Sequence, residues 1–413
     1  MKVDGGFGMT LTSLEGAGEK AREAEEAGYD GIWTAETSHD PFFPLLIASQ
    51  ATTRADLGTG IAVAFSRNPM TMAQIGWDLQ AASGGRFILG LGSQIKPHIT
   101  KRFSMPWSSP AARMREFILA MRAIWACWNE GADLDFRGEF YTHTLMTPFF
   151  DPGPNPHGTP RVFLAGVGQR MTEVAGEVCD GFLSHGFTTE RYLREVTLPA
   201  LERGLATAGR DRSALEISLP AFIVTGTDEA SMAESAKGVR QQIAFYGSTP
   251  AYRPVLELHG WGDLQSELNR LSKEGKWVEM GELIDDEILE AFAVVAEPDA
   301  IAAGIAERFG GVVDRISFYA PYQSDPDTWL PVVAALKALW GERAGSACRR
   351  VGRAARDPQA ARPTGAAPPL PRGSPRRPRP RPASRRAPAR PRRATPGCVP
   401  ATTPRRRRSR GTG

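Results

Sequence analysis

The chain has 413 residues, 41% of them hydrophobic, and a formal net charge of +4. That total hides a division: 29 basic and 44 acidic residues precede Gly341, whereas 21 arginines, no lysine and only Glu342 and Asp357 follow from there. The body has material for a deep core in one large domain or two average ones, and no run reaches the roughly 18–20 apolar residues that cross a bilayer.

Taken in order, residues 3–9 read as a first strand and 13–27 as a helix stopped by Gly28. A second strand over 29–34 leads into the polar loop Ala35-Glu36-Thr37-Ser38-His39-Asp40-Pro41, and a helix over 42–53 precedes a third strand over 57–63. Asn68-Pro69 supplies an N-cap and a first helical residue; that helix ends at Gly84-Gly85. The apolar run 87–91 that follows, closed by Gly92-Ser93-Gln94, is a strand buried on both faces with its exit loop carrying Lys96 and His98. Ser109-Pro110 predicts another helix start, and Met114, Phe117, Ile118, Met121, Ile124, Trp125 and Trp128 then fall on one stripe at spacings of three and four. A hairpin over 136–141 and a proline-rich connection over 147–160 lead to strand five, 161–165, with the turn Gly166-Val167-Gly168 and a helix behind it. Strand six, 180–183, opens into Ser184-His185-Gly186-Phe187-Thr188-Thr189. A helix over 190–208, strand seven over 215–224, a helix from Asp228, an inserted helical segment over 245–295, a helix from Glu297-Pro298-Asp299, strand eight over 315–319 and a helix over 327–340 complete the body.

Eight short apolar strands alternating with helices predict an α/β fold, a (β/α)8 TIM barrel spanning 1–340 with insertions after strands 4 and 7. The alternative, a doubly wound open sheet, wants a phosphate fingerprint after strand one, and Gly5-Gly6-Phe7-Gly8 has the wrong place and spacing. Residues 341–413, rich in Arg, Pro and Ala, read as a disordered basic tail. Nucleic acid is expected, if anywhere, only there, by counterion release at Arg405–Arg408. The absence of lysine favours a read-through or frame-shifted end, so deleting 345–413 is expected to leave catalysis intact in a turnover assay. The Met1 end lacks a secretory signal. Cys127, Cys179, Cys348 and Cys398 form no CxxC spacing and read as the reduced thiols of a cytoplasmic protein.

Every candidate functional group lies on a loop after a strand, where a barrel places its chemistry: Glu36, Thr37 and His39; Gln94, Lys96 and His98; Gly166 to Gln169; Ser184 to Thr188. The six histidines show no HxH or HxxxH spacing, so no metal is expected, and without a GxSxG elbow hydrolase chemistry is disfavoured. Phe42, Phe65, Trp77 and Trp107 either wall the pocket or belong to ordinary packing.

The stretches LGTGIAVAFSRNP (57–69), SGGRFILGLGSQIKPH (83–98) and PRVFLAGVGQRMTEVAGEVCDGFLSHGF (160–187), with the closing helix, resemble the luciferase-like monooxygenase superfamily. Within it the chain is most similar to the branch that uses coenzyme F-420, an 8-hydroxy-5-deazaflavin, with FMN as the alternative cofactor. The resemblance covers residues 1–340. It implies a non-prolyl cis peptide and bulge at Gly60-Ile61, with Val63 beside it, supporting the ring. It also implies ribityl and phosphate contacts from Ala165, Gly166, Val167 and Gly168 and from Ser184, His185 and Gly186, while the Gly92-Ser93-Gln94 exit of strand four, read from the glycine's missing Cβ, lets the backbone approach a flat cofactor. Backbone N–H groups at the start of the next helix suit an anion, with Arg170 either assisting or merely solvated.

Several relatives carry an Asp-His pair after strand two and a Glu after strand four. This chain has Glu36-Thr37 and Gln94-Ile95 there, which puts a sugar-phosphate dehydrogenase reaction in doubt. His39 becomes the first acid/base candidate, His98 the second, with Glu36 as a hydrogen-bond partner to either. The expected activity is hydride transfer between the deazaflavin and a small organic substrate, by an enzyme that, like its relatives, is a homodimer. The rivals are an FMN-dependent monooxygenase and a catalytically idle flavin- or deazaflavin-binding protein.

Overall fold

Strand-forming runs and their flanking turns resolve into a closed ring of parallel strands. A computed structural model describes residues 1–7 and 13–340. The expected tail, Cys348, Cys398 and the end of the first expected strand lie outside the described residues. The barrel strands are β1 (Lys2–Gly6), β2 (Gly31–Thr34), β3 (Asp56–Thr59), β4 (Phe87–Gly92), β5 (Arg161–Ala165), β6 (Gly181–Leu183), β7 (Glu216–Val224) and β8 (Arg315–Tyr319). Each pairs in parallel with the next, and β8 closes on β1. All eight carboxyl ends therefore gather at one rim. Excess length sits after β4, in the helix Pro110–Glu130 and a two-stranded hairpin, and after β7, in the helices between Glu229 and Phe292.

Local signals account for most helix starts. Asn68 accepts from the Thr71 N–H at 2.9 Å, and Asp228 closes a capping box with Ser231, each satisfying N–H groups that the first turn leaves orphaned. Ser109 does not cap: it sits at φ 37° without a side-chain bond, and Pro110 alone supplies the start. The stripe from Met114 to Trp128 is wholly buried. Two differences concern strands. The third expected strand is interrupted after Thr59 and resumes at Ala62–Val63, and Ala293–Val295, expected within a helical insertion, pairs with β7.

The amino end of the barrel is closed by charge. Strand side chains alternate faces, and the first residues of the odd strands, Lys2, Asp56, Arg161 and Glu216, point inward as one layer. Cation and anion alternate around it: Lys2–Asp56 at 3.0 Å, Asp56–Arg161 at 2.6 Å, Arg161–Glu216 at 3.2 Å and Glu216–Lys2 at 3.8 Å. Above them Arg315, with no exposed surface, forks onto both oxygens of Asp4 at 2.7 and 2.8 Å and reaches Asp56 at 2.7 Å. Burial draws the guanidinium down, but Asp4 and Asp56 outweigh it and hold it above its ordinary value. The Trp33 ring lies over this guanidinium, 5.6 Å from its centroid, and roofs the ionic layer with apolar surface.

Candidate active site at the carboxyl rim

The break in the third strand is the first feature of the rim. Leu57 pairs with Phe87 and Gly58 with Ile88, but beyond it Ala62 pairs with Leu91 and Val63 with Gly92. Five steps on one strand thus match four on the other, a one-residue bulge. Within it Gly60 and Ile61 are joined by a cis peptide, as the resemblance implies. Thr59 bridges the gap, its hydroxyl donating to the Gly90 carbonyl at 2.7 Å and accepting from the Gly90 N–H at 2.9 Å. Only glycine fits at 90, because a Cβ there would stand 1.8 Å from the Thr59 carbonyl oxygen. Likewise a Cβ on Gly92 would meet Ile61 Cδ1 at 2.7 Å, so Ile61 lies across the bare end of β4 as a half-buried apolar platform.

Behind the bulge stands an ion cluster. Glu36, 6% exposed at its side chain, accepts from the Val63 N–H and from Arg67 Nη1, both at 2.7 Å. The other arm of Arg67 binds Asp40 at 2.9 Å, and its guanidinium lies over the Phe42 ring. Glu36 was expected to address His39 or His98. The structure gives its carboxylate to Arg67 and the bulge instead. Val63 is fully buried, with its N–H and carbonyl engaged by Glu36, Ser66 and Arg67, so it braces the rim from behind. Phe65 and Trp77 are buried among the outer helices, which settles them as packing.

His39 and His98 are both exposed, on the loops after β2 and β4. Those loops are tied together by Arg102, whose guanidinium donates to the Thr37 carbonyl. Ser93 and Gln94 are half-buried, Gln94 with a left-handed φ of 56°. Ala165, Gly166 and Val167 are half-buried and Gly168 exposed, leading into the helix Gln169–Val178. Arg170, in the first turn of that helix, lines a groove with Glu173, Glu177 and Arg203.

On the opposite arc Ser184 and Gly186 are buried, and His185 is enclosed by rings. Its Nδ1 accepts from the Phe187 N–H at 3.0 Å, which leaves the proton of the neutral ring on Nε2. Burial brings its pKa down to about 4. Because the unfolded ring protonates first as pH falls from about 6.5, this group's contribution is complete above that value and is lost on the way down to 4. Between pH 7 and 5 the wild type is expected to lose about 1.5–2 kcal/mol more than His185→Gln, as read by urea unfolding of both.

A family model described as luciferase-like monooxygenase matches residues 3–315. The chain belongs to the luciferase-like monooxygenase family. A Mycobacterium tuberculosis protein described as uncharacterised is 59% identical to this family member over 316 residues, covering 76% of this chain and 92% of that protein. A 5,10-methylenetetrahydromethanopterin reductase of Archaeoglobus fulgidus is 26% identical, covering 73% and 88%. Among solved structures, the coenzyme F-420-dependent tetrahydromethanopterin reductase of Methanopyrus kandleri aligns with a TM-score of 0.66 at 20% identity, covering 80% of this chain and 96% of that one. That likeness shows a shared luciferase-like barrel. No helix among the described residues is long and apolar enough to cross a membrane.

Proposed function

We propose that this luciferase-like protein is an oxidoreductase that moves a hydride between coenzyme F-420 and a small organic substrate at the carboxyl rim. The observation that carries the reading is the platform of Gly60 and Ile61 laid across Gly92, a shape that suits a flat ring. The name of the Methanopyrus structure, a coenzyme F-420-dependent reductase, supports the deazaflavin. Gly60 and Ile61 would support the ring and Gly92, Ser93 and Gln94 border it. Ala165 to Gly168 would take the phosphate, the N–H groups at Gln169 favouring an anion, and Ser184 to Gly186 the uncharged side chain. When bound, the deazaflavin supplies the hydride chemistry; the protein supplies position, dryness and a proton.

Glu36 acts in this reading by holding the bulge through Val63 and Arg67. His39 and His98, exposed on the loops after β2 and β4, are the proton donors. Stopped-flow oxidation of reduced coenzyme F-420 by a panel of small ketones and other hydride acceptors, without oxygen, tests the assignment: turnover with an acceptor is expected, and its full retention in a His39→Ala, His98→Ala double variant would remove the two histidines from it. The family description favours one alternative, an FMN-dependent monooxygenase. Oxygen uptake with reduced FMN and none with the deazaflavin would decide for that alternative.

A further inference from the structure

The hydride-transfer reading uses the Ser184–Gly186 segment but gives no role to the wall of tyrosines packed around it. Along β8, Arg315, Ser317 and Tyr319 share the barrel-facing side, and along β7 Glu216, Ser218, Pro220 and Phe222 do. Tyr319 and Phe222, paired across the two strands, stack with centroids 4.7 Å apart. The Tyr319 hydroxyl lies 2.7 Å from that of Tyr246, on the helix Glu229–Gly247 behind β7. His185, just past β6, stacks on Tyr252 at 4.7 Å and meets Tyr246 edge-on at 4.6 Å. Phe187 and Phe292 lie behind, 4.6 Å apart. Phe187, Phe222 and Phe292 are buried, whereas Tyr246, Tyr252, Tyr319 and His185 are half-buried. The inner layer of this wall is core, and its outer layer keeps some exposed surface.

The polar equipment of the wall is small and neutral. Two hydroxyls carry two hydrogens, and one is used between them. The other has no protein acceptor among the described residues. Burial raises both phenols above their ordinary pKa and keeps His185 uncharged, so the pair donates hydrogen bonds and does not act as a base. Cations that meet rings do so elsewhere among the described residues, on Phe42, Phe103, Phe65, Tyr141 and Trp33. A phosphate brought here would lose its water without a compensating charge.

We propose that this wall is the substrate subsite for a flat, neutral, carbonyl-bearing molecule. Its ring stacks on Tyr252 and meets Tyr246 edge-on, the two standing at 80° to each other, and its carbonyl oxygen accepts the spare hydroxyl hydrogen of the Tyr246–Tyr319 pair. The inference rests on the hydride-transfer reading in taking the rim as the active site. Gly186 fixes the pair's position, since a Cβ there would press on the Tyr319 ring at 3.0 Å.

Titration of the full chain with acetophenone, ethylbenzene and glucose 6-phosphate, followed by ligand-observed NMR, tests the subsite. Acetophenone is expected to bind, and Y246F/Y319F to weaken it about tenfold, the loss of one hydrogen bond. Ethylbenzene, which lacks the oxygen, is expected to bind wild type and variant alike, and this comparison on the wild type alone stands if the double variant fails to fold. The single variants show which hydroxyl holds the spare hydrogen: the larger loss marks it. Equal losses for ketone and hydrocarbon, ketone binding no tighter than hydrocarbon on the wild type, or glucose 6-phosphate binding tighter than acetophenone would overturn the proposal. Coenzyme F-420 fluorescence titrated in the same samples separates the two claims. Absent coenzyme binding with ketone discrimination intact overturns hydride transfer and leaves the subsite standing; coenzyme binding without ketone discrimination does the reverse.

Discussion

Replacing Arg315 by methionine is expected to lower the stability of the fold by about 3–5 kcal/mol, because it removes one partner from a buried ionic group and leaves the others uncompensated. Asp4 is 2% exposed and accepts from Nε and Nη2 of the guanidinium. Without it, Asp4 and Asp56 face one another across the barrel axis with only Lys2 and Arg161 near Asp56. Chemical denaturation monitored by tryptophan fluorescence reads the loss. A companion variant, Asp4→Leu with Arg315→Met, removes the orphaned charge along with its partner and is expected to recover part of it. The effect should appear as reduced stability with little change in ligand affinity, since the ionic layer lies at the amino end of the strands. A loss below about 1 kcal/mol for Arg315→Met would mean that water or rearrangement compensates the charges, contrary to the geometry described.

Glu36→Ala is expected to have the largest effect on the site. It strips the main partner from an Arg67 side chain that is only 16% exposed and frees the Val63 N–H within the bulge, at a cost of about 2–4 kcal/mol. Because the same bonds fix the Gly60–Ile61 platform and the loop carrying His39, ring affinity should fall at least tenfold, an order of magnitude consistent with a supporting contact left loose. Glu36→Gln separates support from proton transfer. An amide oxygen can still accept from Val63 or Arg67, so a clamp keeps most of its turnover, whereas a general base would lose nearly all of it with binding unchanged. Coenzyme affinity and single-turnover rates on both variants discriminate the two outcomes.

Much of this architecture is legible from local pattern. Phe87 to Leu91 between glycine turns, or Arg161 to Ala165 before Gly166, could only be short buried strands, and Asn68 and Asp228 announce their helices through side chains that reach their own first turn. What depends on distant partners is not legible. Lys2, Asp56, Arg161, Glu216 and Arg315 each begin a strand, where a charge reads as a solvated end; only closure of the barrel turns them toward one another. Glu36 looks like an acid/base neighbour of His39 because Arg67 lies 31 residues away in the chain. The wall of Tyr246, Tyr252 and Tyr319 likewise joins an insertion to the last strand, and neither stretch alone marks an aromatic as more than packing. Ser109 shows the reverse failure: a residue of the right type before proline whose backbone turned the wrong way to cap.

Equilibrium binding of coenzyme F-420 and of FMN to the full chain, each followed by fluorescence and equilibrium dialysis, tests the central claim most directly. The account predicts that one deazaflavin binds per chain, that FMN does not displace it at equal concentration, and that Ile61→Asp, which puts a charge on the platform, abolishes the binding. Retention of FMN in preference to the deazaflavin, or deazaflavin binding unchanged by Ile61→Asp, would contradict it.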